Sequence, residues 1–357
     1  MMSSSIFTGA ASASRYVVKS RAAALGFAAS KAYLSTSSDL AGMAGRNFMS
    51  IDELSNKELR GLLDLSKQYK ATYGKNATIP PTSAPKPLTG KSVSMIFQKR
   101  STRTRVSTET GMSLLGGHAL FLGPSDIQLG VNESMRDTAN VLSRFNSIIL
   151  ARVYGHDDIV ELGKHATVPV INALSDLHHP LQTLADLMAL EDHFGGDLRG
   201  KTLAWVGDGN NVLHDLMMGA AKLGMNVNVA TPAGYEANER IVNITKQLAG
   251  ENGGKVFLTA VAEEAVKGSD VIVTDTWVSM GQEDEYAKRI AEFAGYEVNS
   301  TLMSKANDGA VFLHCLPRHP EEVTDEVFYS DQSLVFPEAE NRMWTVMAVM
   351  AAQLGKV

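Results

Sequence analysis

Phe97-Gln-Lys-Arg-Ser-Thr-Arg-Thr-Arg-Val106 lies where a strand-like run, Ser92–Phe97, gives way to a helix-like run, Val106–Leu115. Hydroxyl and guanidinium groups crowd the positions from Ser101 to Thr104, at the expected N-terminus of that helix. Backbone N–H groups and the positive end of the helix dipole favour an anion at such a place. Hydroxyl donors and a guanidinium fork strengthen the preference for a tetrahedral oxyanion such as phosphate. A basic loop with a good N-cap is the alternative interpretation.

Strand-like and helix-like segments alternate along the rest of the chain. The strand-like runs are nearly continuous in apolar residues, which indicates parallel sheets covered on both faces by helices. We therefore predict an α/β protein with two doubly wound parallel-sheet domains joined by helices, and an active site in the crevice between them. The predicted strands are Ser92–Phe97, Ala119–Leu122, Ser147–Val153, Val168–Ala173, Thr202–Val206, Asn226–Ala230, Lys255–Thr259, Val271–Thr274 and Val311–His314.

Helical patterns predict the domain boundaries. A pattern from Pro180 to Phe194, followed by Gly195-Gly196, predicts a hinge helix. The last helical pattern, Ala339–Leu354, lies beyond the second set of strands. We expect residues 45–180 to form the first domain, with the C-terminal helix 339–357 packing back on it. Residues 181–338 should form the second domain.

The N-terminal 38 residues differ in composition from the rest of the chain. They contain four basic residues and no Asp or Glu, and Ser and Ala dominate them. This composition is typical of an organelle transit peptide over residues 1–38, destined for the mitochondrial matrix or, alternatively, a plastid. A disordered tail is the other interpretation. The folded protein should begin near Gly42–Asp52, where Ser50 and Glu53 predict a capping box at the first helix.

The overall composition excludes several classes of partner. The 357-residue chain has a net charge of −6 and no long basic run, which argues against binding of nucleic acid. No apolar stretch reaches the ~18 residues that a membrane-spanning helix needs. The single cysteine, Cys315, excludes an internal disulfide and a multi-cysteine zinc site. We expect no metal, no organic cofactor, and neither nucleic acid nor a membrane as a partner.

Polar side chains follow several predicted strands and open the predicted helices. Arg152 ends a strand, and His179 and Gln182 lie at the start of the hinge helix, where Pro180 suits the first helical position. Taken alone, Arg152 could form a surface salt bridge and His179 could be a cap. Because loops at the carboxyl ends of parallel strands face a shared crevice, we expect these side chains to meet.

Three loops of the second half carry further candidates. Gly207-Asp-Gly-Asn-Asn-Val212 lacks the third glycine of a dinucleotide fingerprint, so we interpret it as a turn that presents Asn211. Asp275-Thr-Trp-Val-Ser-Met-Gly281 offers a carboxylate and a hydroxyl. In His314-Cys-Leu-Pro-Arg-His319 the first two side chains should point to opposite faces, which disfavours a cysteine-protease pair. Phosphate-type donors in the first half and a carboxylate in the second suggest an anionic substrate and an amine-bearing one.

These motifs resemble those of the carbamoyltransferase family. The resemblance rests on Ser101-Thr-Arg-Thr-Arg105, His179-Pro-Leu-Gln182, Asp275-Thr-Trp-Val-Ser-Met-Gly281 and His314-Cys-Leu-Pro-Arg318, in the family's order and over about residues 45–355. The last two motifs resemble the ornithine branch. The resemblance implies transfer of a carbamoyl group from carbamoyl phosphate to the δ-amine of L-ornithine, giving L-citrulline and phosphate. It also implies a homotrimer without metal or organic cofactor.

The resemblance assigns roles by position in this sequence. The phosphate would be bound by Ser101, Thr102, Arg103 and Thr104. The carbonyl oxygen would be polarised by Arg152 and His179, and the carbamoyl nitrogen end held by Gln182, the backbone of Leu316 and Arg342. The α-carboxylate and α-amine of ornithine would be held by Asn211, Asp275, Ser279 and Met280. Asp275 and Cys315 would lie near the attacking amine, and Gln128 would reach into a neighbouring subunit's site.

Three other interpretations stay open at this point. A carbamoyltransferase of the same family could act on another amine, such as putrescine or an acylated ornithine. A nicotinamide dehydrogenase would have to use the incomplete glycine turn at Gly207. A binding or regulatory protein on the same fold would not need both phosphate donors and groups that polarise a carbonyl oxygen.

The leader can be tested by itself. A fluorescent reporter fused to residues 1–45 should accumulate in mitochondria, because its basic, acid-free composition matches a transit peptide. Imaging beside a mitochondrial stain measures this, with the unfused reporter as the control. Plastid or cytosolic fluorescence would contradict the expectation.

Overall fold

The computed structural model describes residues 38–77, 81–127, 133–279 and 283–357. The leader segment 1–37, Gln128 and Met280 lie outside this part of the chain. The described strands are β1 (Ser92–Phe97), β2 (His118–Leu122), β3 (Ile148–Arg152), β4 (Val170–Leu174), β5 (Thr202–Val206), β6 (Asn226–Ala230), β7 (Val256–Thr259), β8 (Val271–Thr274) and β9 (Val311–His314). They form a four-stranded sheet in the order β2-β1-β3-β4 and a five-stranded sheet in the order β7-β6-β5-β8-β9.

Helices connect the strands and cover both sheets. They are α1 (Asn56–Tyr73), α2 (Thr102–Leu114), α3 (Met135–Phe145), α4 (His156–His165), α5 (Pro180–Phe194), α6 (Asn211–Lys222), α7 (Glu239–Asn252), α8 (Ala262–Val266), α9 (Tyr286–Glu292), α10 (Ser300–Met303), α11 (Asp325–Phe328) and α12 (Val335–Gln353). All neighbouring strands are parallel. The predicted fold class is confirmed. None of the helices in the described part of the chain is long and apolar enough to cross a membrane.

Five predicted strands have the observed bounds, and the other four differ by one or two residues at an end. The prediction of where the first helix begins is wrong. Its capping box is Ser55 with Glu58, and not Ser50 with Glu53. Residues Ile51–Glu53 form only a short 3-10 turn, and Leu54 is extended, so the chain cannot continue from that turn into α1. The sequence offers two capping patterns five residues apart, and the backbone uses the second.

Two helices begin earlier than the sequence indicates. Helix α2 begins at Thr102 rather than Val106, because Ser101 caps it by accepting a hydrogen bond from the Thr104 N–H. Helix α12 begins at Val335 rather than Ala339 and includes Pro337 in its first turn. Proline is tolerated there because the first backbone N–H groups of a helix have no intrahelical partner.

Helix α12 packs on α1, α5 and α2, although it follows the second sheet in sequence. The contact with α2 is close: a Cβ atom added at Gly111 would lie 2.7 Å from Cγ of Met347. Helix α5 is buried along nearly its whole length and lies between the two sheets, against α12 and α6. Because α5 and α12 touch elements of both halves, their side chains can reach the crevice from behind.

The described fold begins earlier than Gly42–Asp52, which corrects the expected start. Leu40 is fully buried in the core, and a Cβ atom at Gly61 of α1 would lie 3.1 Å from its side chain. The burial of Leu40 could not be predicted from the local sequence, because Leu40 follows the polar, leader-like segment. The folded unit therefore includes Leu40.

This placement predicts the stability of shortened chains. A chain that begins at Ser38 should unfold with the full-length free energy, whereas Leu40→Ala should lose about 2–4 kcal/mol, because a buried leucine leaves a cavity. Urea unfolding measures both. Val160→Ala, at a side chain that is 46% exposed, is the matched control. An unchanged unfolding midpoint for Leu40→Ala would show that Leu40 is not part of the core.

Candidate functional site

A cavity of about 450 Å³ lies in the crevice, where the carboxyl ends of strands from both sheets converge. It brings together most residues predicted for the site. The cavity is lined by Ser101, Thr102, Arg103, Thr104, Arg152, His179, Asn211, Asp275, Ser279, Cys315, Leu316 and Arg342, among others. Gln182 lies behind the cavity wall, where its Oε1 accepts a hydrogen bond of 2.7 Å from Arg342. A wider cavity of about 950 Å³ adjoins it and shares Lys99, Asn211 and Ser279.

The N-terminus of α2 forms one wall of the cavity. Ser101 is extended, and its Oγ accepts from the Thr104 N–H at 3.3 Å and donates to Thr104 Oγ1 at 3.1 Å. The cap therefore turns the hydroxyl groups of both residues toward the same corner as the first backbone N–H groups of the helix. Donors arranged in this way suit a phosphate group.

Three guanidinium groups meet at this wall. Arg152 ends β3, where its pairing with β4 shifts register, and it is only 6% exposed. Arg342 comes from α12 and donates to Thr104 Oγ1 at 3.2 Å. Arg103 donates to the backbone carbonyl of Leu316. Burial, with the nearby Arg342 and Arg103 charges, lowers the pKa of Arg152 to about 10. The wall therefore remains cationic at neutral pH, and an anion would offset the cost of burying these charges.

His179 faces the same corner in its neutral form. It directly precedes α5, and its backbone N–H donates to Asp215 Oδ2 at 2.6 Å. Complete burial lowers the pKa of His179 well below its usual value, and the neighbouring arginines add to this effect. A neutral imidazole cannot act as a strong acid here, but it can donate one hydrogen bond to a developing oxyanion.

The opposite wall carries a carboxyl and a thiol. Asp275 follows β8 and is 6% exposed. Burial raises its pKa to about 6, although the Asn210 Nδ2 group donates to Asp275 Oδ2 at 3.0 Å. Burial also raises the pKa of Cys315 well above its usual value, and Asp275 adds to this shift. The thiol thus stays protonated at neutral pH and is not an activated nucleophile.

Leu316 has a left-handed backbone, with φ of 64°. This conformation costs a residue other than glycine on the order of 1–3 kcal/mol, so its neighbours must hold it. Its N–H donates to His314 Nδ1 at 2.9 Å, which leaves His314 Nε2 to donate to Glu322 at 3.2 Å. His314 is thereby engaged on both nitrogens and faces away from Cys315. The expectation that these two neighbours point to opposite faces agrees with this geometry.

Some residues that contact the predicted site residues were not predicted from the sequence. Asn210, not Asn211, caps α6 and contacts Asp275, while Asn211 donates to the backbone of Ser175 at 2.6 Å. Asp186 and Glu338 are buried behind Gln182 and contact its amide. A signal for Asp186 was present, because it lies four residues after Gln182 and thus on the same helix face.

Two domains of a known protein family match this chain. The carbamoyl-P binding domain of the aspartate/ornithine carbamoyltransferases matches residues 46–192, and their Asp/Orn binding domain matches residues 199–353. The chain belongs to the aspartate/ornithine carbamoyltransferase family. The resemblance drawn from the motifs is confirmed, and the two family domains meet at the crevice that holds the described cavity.

Individual carbamoyltransferases are similar over most of the chain. A mitochondrial ornithine transcarbamylase of Gallus gallus is 52% identical over 312 residues, which covers 87% of this chain and 86% of the relative. The ornithine carbamoyltransferase of Pyrococcus furiosus has a TM-score of 0.83 at 45% identity and covers 88% and 99% of the two chains. A mitochondrial ornithine carbamoyltransferase from Coccidioides immitis has a TM-score of 0.80 at 46% identity, with the same coverage.

The raised pKa of Asp275 predicts a pH-dependent cost to stability. Because the folded state holds this proton more tightly than the unfolded state, stability should fall as the pH rises from about 4 to about 6. Asp275→Asn removes that loss and should stabilise the protein at pH 7 by roughly 2–3 kcal/mol.

Thermal unfolding across this pH range measures the effect. Asp308→Asn, at an exposed carboxylate between α10 and β9, is the control and should follow the wild type. If Asp275→Asn and the wild type kept a constant difference in stability from pH 4 to pH 7, Asp275 would not titrate as described.

Proposed function

We propose that this protein transfers the carbamoyl group of carbamoyl phosphate to the δ-amine of L-ornithine, giving L-citrulline and phosphate. The observation that carries this proposal is the division of the cavity, with three arginines over a helix N-terminus on one wall and Asp275 on the other. Membership of the carbamoyltransferase family and relatives named for ornithine, at about half identity, support it. The activity serves arginine biosynthesis or a urea cycle.

We assign the phosphate to the start of α2, within residues 45–180, with the C-terminal helix 339–357 completing that domain. The phosphate contacts would come from Ser101, Thr102, Arg103 and Thr104. Backbone N–H groups and hydroxyls can hold its oxygens, and Arg103 adds a charge-assisted pair. The leaving phosphate keeps the electron pair of the broken C–O bond, so these groups also stabilise its charge as it departs.

The carbonyl oxygen would lie between Arg152 and His179. It gains negative charge as the amine attacks, and two donors aimed at it act as an oxyanion hole. The neutral imidazole suits this role because it donates without adding another buried charge. At the other end of the carbamoyl group, its NH₂ would donate to the Leu316 carbonyl and the Gln182 oxygen, beside Arg342.

Ornithine would bind to residues 181–338. Its α-carboxylate and α-amine would contact Asn211, Asp275, Ser279 and Met280, the last of which lies outside the described residues. The δ-amine would lie near Asp275 and Cys315 and must lose a proton before it attacks. Desolvation in the cavity lowers the pKa of the amine and favours this loss, whereas the ionised Asp275 carboxylate favours the charged form and acts against it. Asp275 would favour an ammonium group and repel the second carboxylate of aspartate, which separates ornithine from that substrate.

The assembly and the location complete the proposal. We propose a homotrimer, which the resemblance to the family implies. Four apolar side chains of the first domain are 40–74% exposed and could be covered by a neighbouring subunit: Val106, Leu120, Val141 and Phe145. Gln128, assigned to a neighbouring subunit's site, lies outside the described residues. Light scattering on the purified protein tests the trimer, and a monomer would contradict it. We place the protein in the mitochondrial matrix, which is supported by the names of relatives that are called mitochondrial.

Arg103→Ala tests the phosphate assignment. The variant should lose carbamoyl phosphate affinity by about 2–5 kcal/mol, because a charge-assisted contact to the phosphate is removed. Calorimetry measures the affinity, and citrulline formation with ornithine, putrescine or acetylornithine measures the activity. Arg240→Ala, at an exposed arginine of α7, is the control.

The two measurements test the phosphate assignment and the proposed activity separately. We expect the wild type to form product with ornithine and not with the other amines. Unchanged carbamoyl phosphate affinity in Arg103→Ala would contradict the phosphate assignment. Absence of citrulline from the wild type would contradict the proposed function itself.

A further inference from the structure

Two buried acids lie directly behind the cavity and do not line it. Asp186 of α5 and Glu338 of α12 are each 2% exposed. The Nε2 group of Gln182 donates to Asp186 Oδ1 at 2.7 Å and also to Glu338 Oε1. Glu338 Oε2 accepts from the backbone N–H of His314, at 3.1 Å, at the end of β9. The pair therefore joins two helices and one strand behind the wall.

The amide of Gln182 has only one possible orientation. Arg342 can only donate, so the Gln182 oxygen must face its guanidinium, and the NH₂ group must face the two acids. Arg342 donates onward to Thr104 Oγ1, which in turn accepts from Ser101. A continuous chain of hydrogen bonds thus runs from the acid pair to the start of α2.

Above a pH of about 7 the pair carries a single negative charge. The Glu338 carboxyl donates its proton to the Asp186 carboxylate, and two bare carboxylates this close would repel one another strongly. Burial raises the pKa of Glu338 well above its usual value and that of Asp186 to about 7. Arg342 and Asp275 are the other charged groups that act on the pair, and the Arg342 charge balances the remaining negative one.

We propose that Asp186 and Glu338 are positioning residues that share one proton, and that their single charge orients Gln182 and Arg342 toward the carbamoyl group. The inference rests on the proposed function, because it explains how the carbamoyl end is held in that reaction. Neither acid touches the substrate. Loss of the charge should weaken recognition of the carbamoyl group, while the phosphate contacts of Ser101 and Arg103 remain.

Three variants separate the charge of the pair from its shape and hydrogen bonds. Asp186→Asn keeps every hydrogen bond, because its amide can donate to an ionised Glu338 and its oxygen can accept from Gln182. The double variant Asp186→Asn with Glu338→Gln keeps both side-chain shapes and removes the charge, but it also loses one of the hydrogen bonds that Glu338 accepts from Gln182 and His314. Glu338→Gln alone loses the same bond and keeps the Asp186 charge, so the difference between these two variants reports the charge. Asp192→Asn with Glu340→Gln removes two exposed acids from the same helices and is the matched control.

Calorimetry with inorganic phosphate and with carbamoyl phosphate is the principal measurement. We expect Asp186→Asn to lose less than about threefold in carbamoyl phosphate affinity, and the double variant to lose about thirtyfold or more. Phosphate affinity should change less than about threefold in both, which also shows that the variants are folded. The inference would be overturned if the double variant lost affinity equally for phosphate and carbamoyl phosphate, or if it kept the wild-type affinity for carbamoyl phosphate.

Infrared spectroscopy gives a second readout that does not require the double variant to fold. The wild-type spectrum at pH 8 should contain a protonated carboxyl band that is weaker in Asp186→Asn, because the shared proton is gone. Glu322, whose pKa burial raises to about 7, contributes equally to both spectra. If the band were equally strong in Asp186→Asn, the two acids would not share a proton. Wild-type citrulline formation is measured first, so its absence would count against the proposed function and not against the acid pair.

Discussion

The clustering of three guanidinium groups in one cavity, with those of Arg152 and Arg342 buried, is the constraint on which the rest of the site depends. Each buried charge costs several kcal/mol of desolvation unless neighbours compensate for it. Arg103 is held by the Leu316 carbonyl, and Arg342 by Gln182 and Thr104. These partners come from both halves of the protein. The crevice must therefore form between the halves, and α12 must return to the first sheet to deliver Arg342.

The same positive field sets the protonation of the surrounding groups. It holds His179 neutral together with burial, so the imidazole is available as an uncharged donor. Asp275 lies on the far wall, where its pKa is raised to about 6 by burial, and it is ionised for the most part at neutral pH. An anion and an amine are thus attracted to different walls. The chemistry of the site follows from this separation of charge, because the two reacting groups meet between the walls.

The fold and most of the cavity could be predicted from the sequence. Buried parallel strands are recognised by their apolar runs, and the loops at their carboxyl ends share one edge of the sheet. The residues behind the wall could not. Asp186 and Glu338 lie 152 residues apart in the numbering and meet only when α12 packs on α5. Leu40 was missed for the opposite reason, since local composition places it with the leader while tertiary packing places it in the core. Both errors arise from long-range contacts that periodicity does not contain.

Strained or costly residues line the cavity and also lie behind it, where the acid pair is buried between packed helices. Leu316 has a left-handed backbone, and Asp275 is a buried acid with a raised pKa. Such features persist only where the surrounding structure determines them. Helix α5 is buried from Pro180 to Glu191 and supplies that surrounding together with α12. A charge on packed helices is positioned more precisely than one on a loop. The acid pair lies on these two helices, so its charge is held by the same packing that supports the cavity wall.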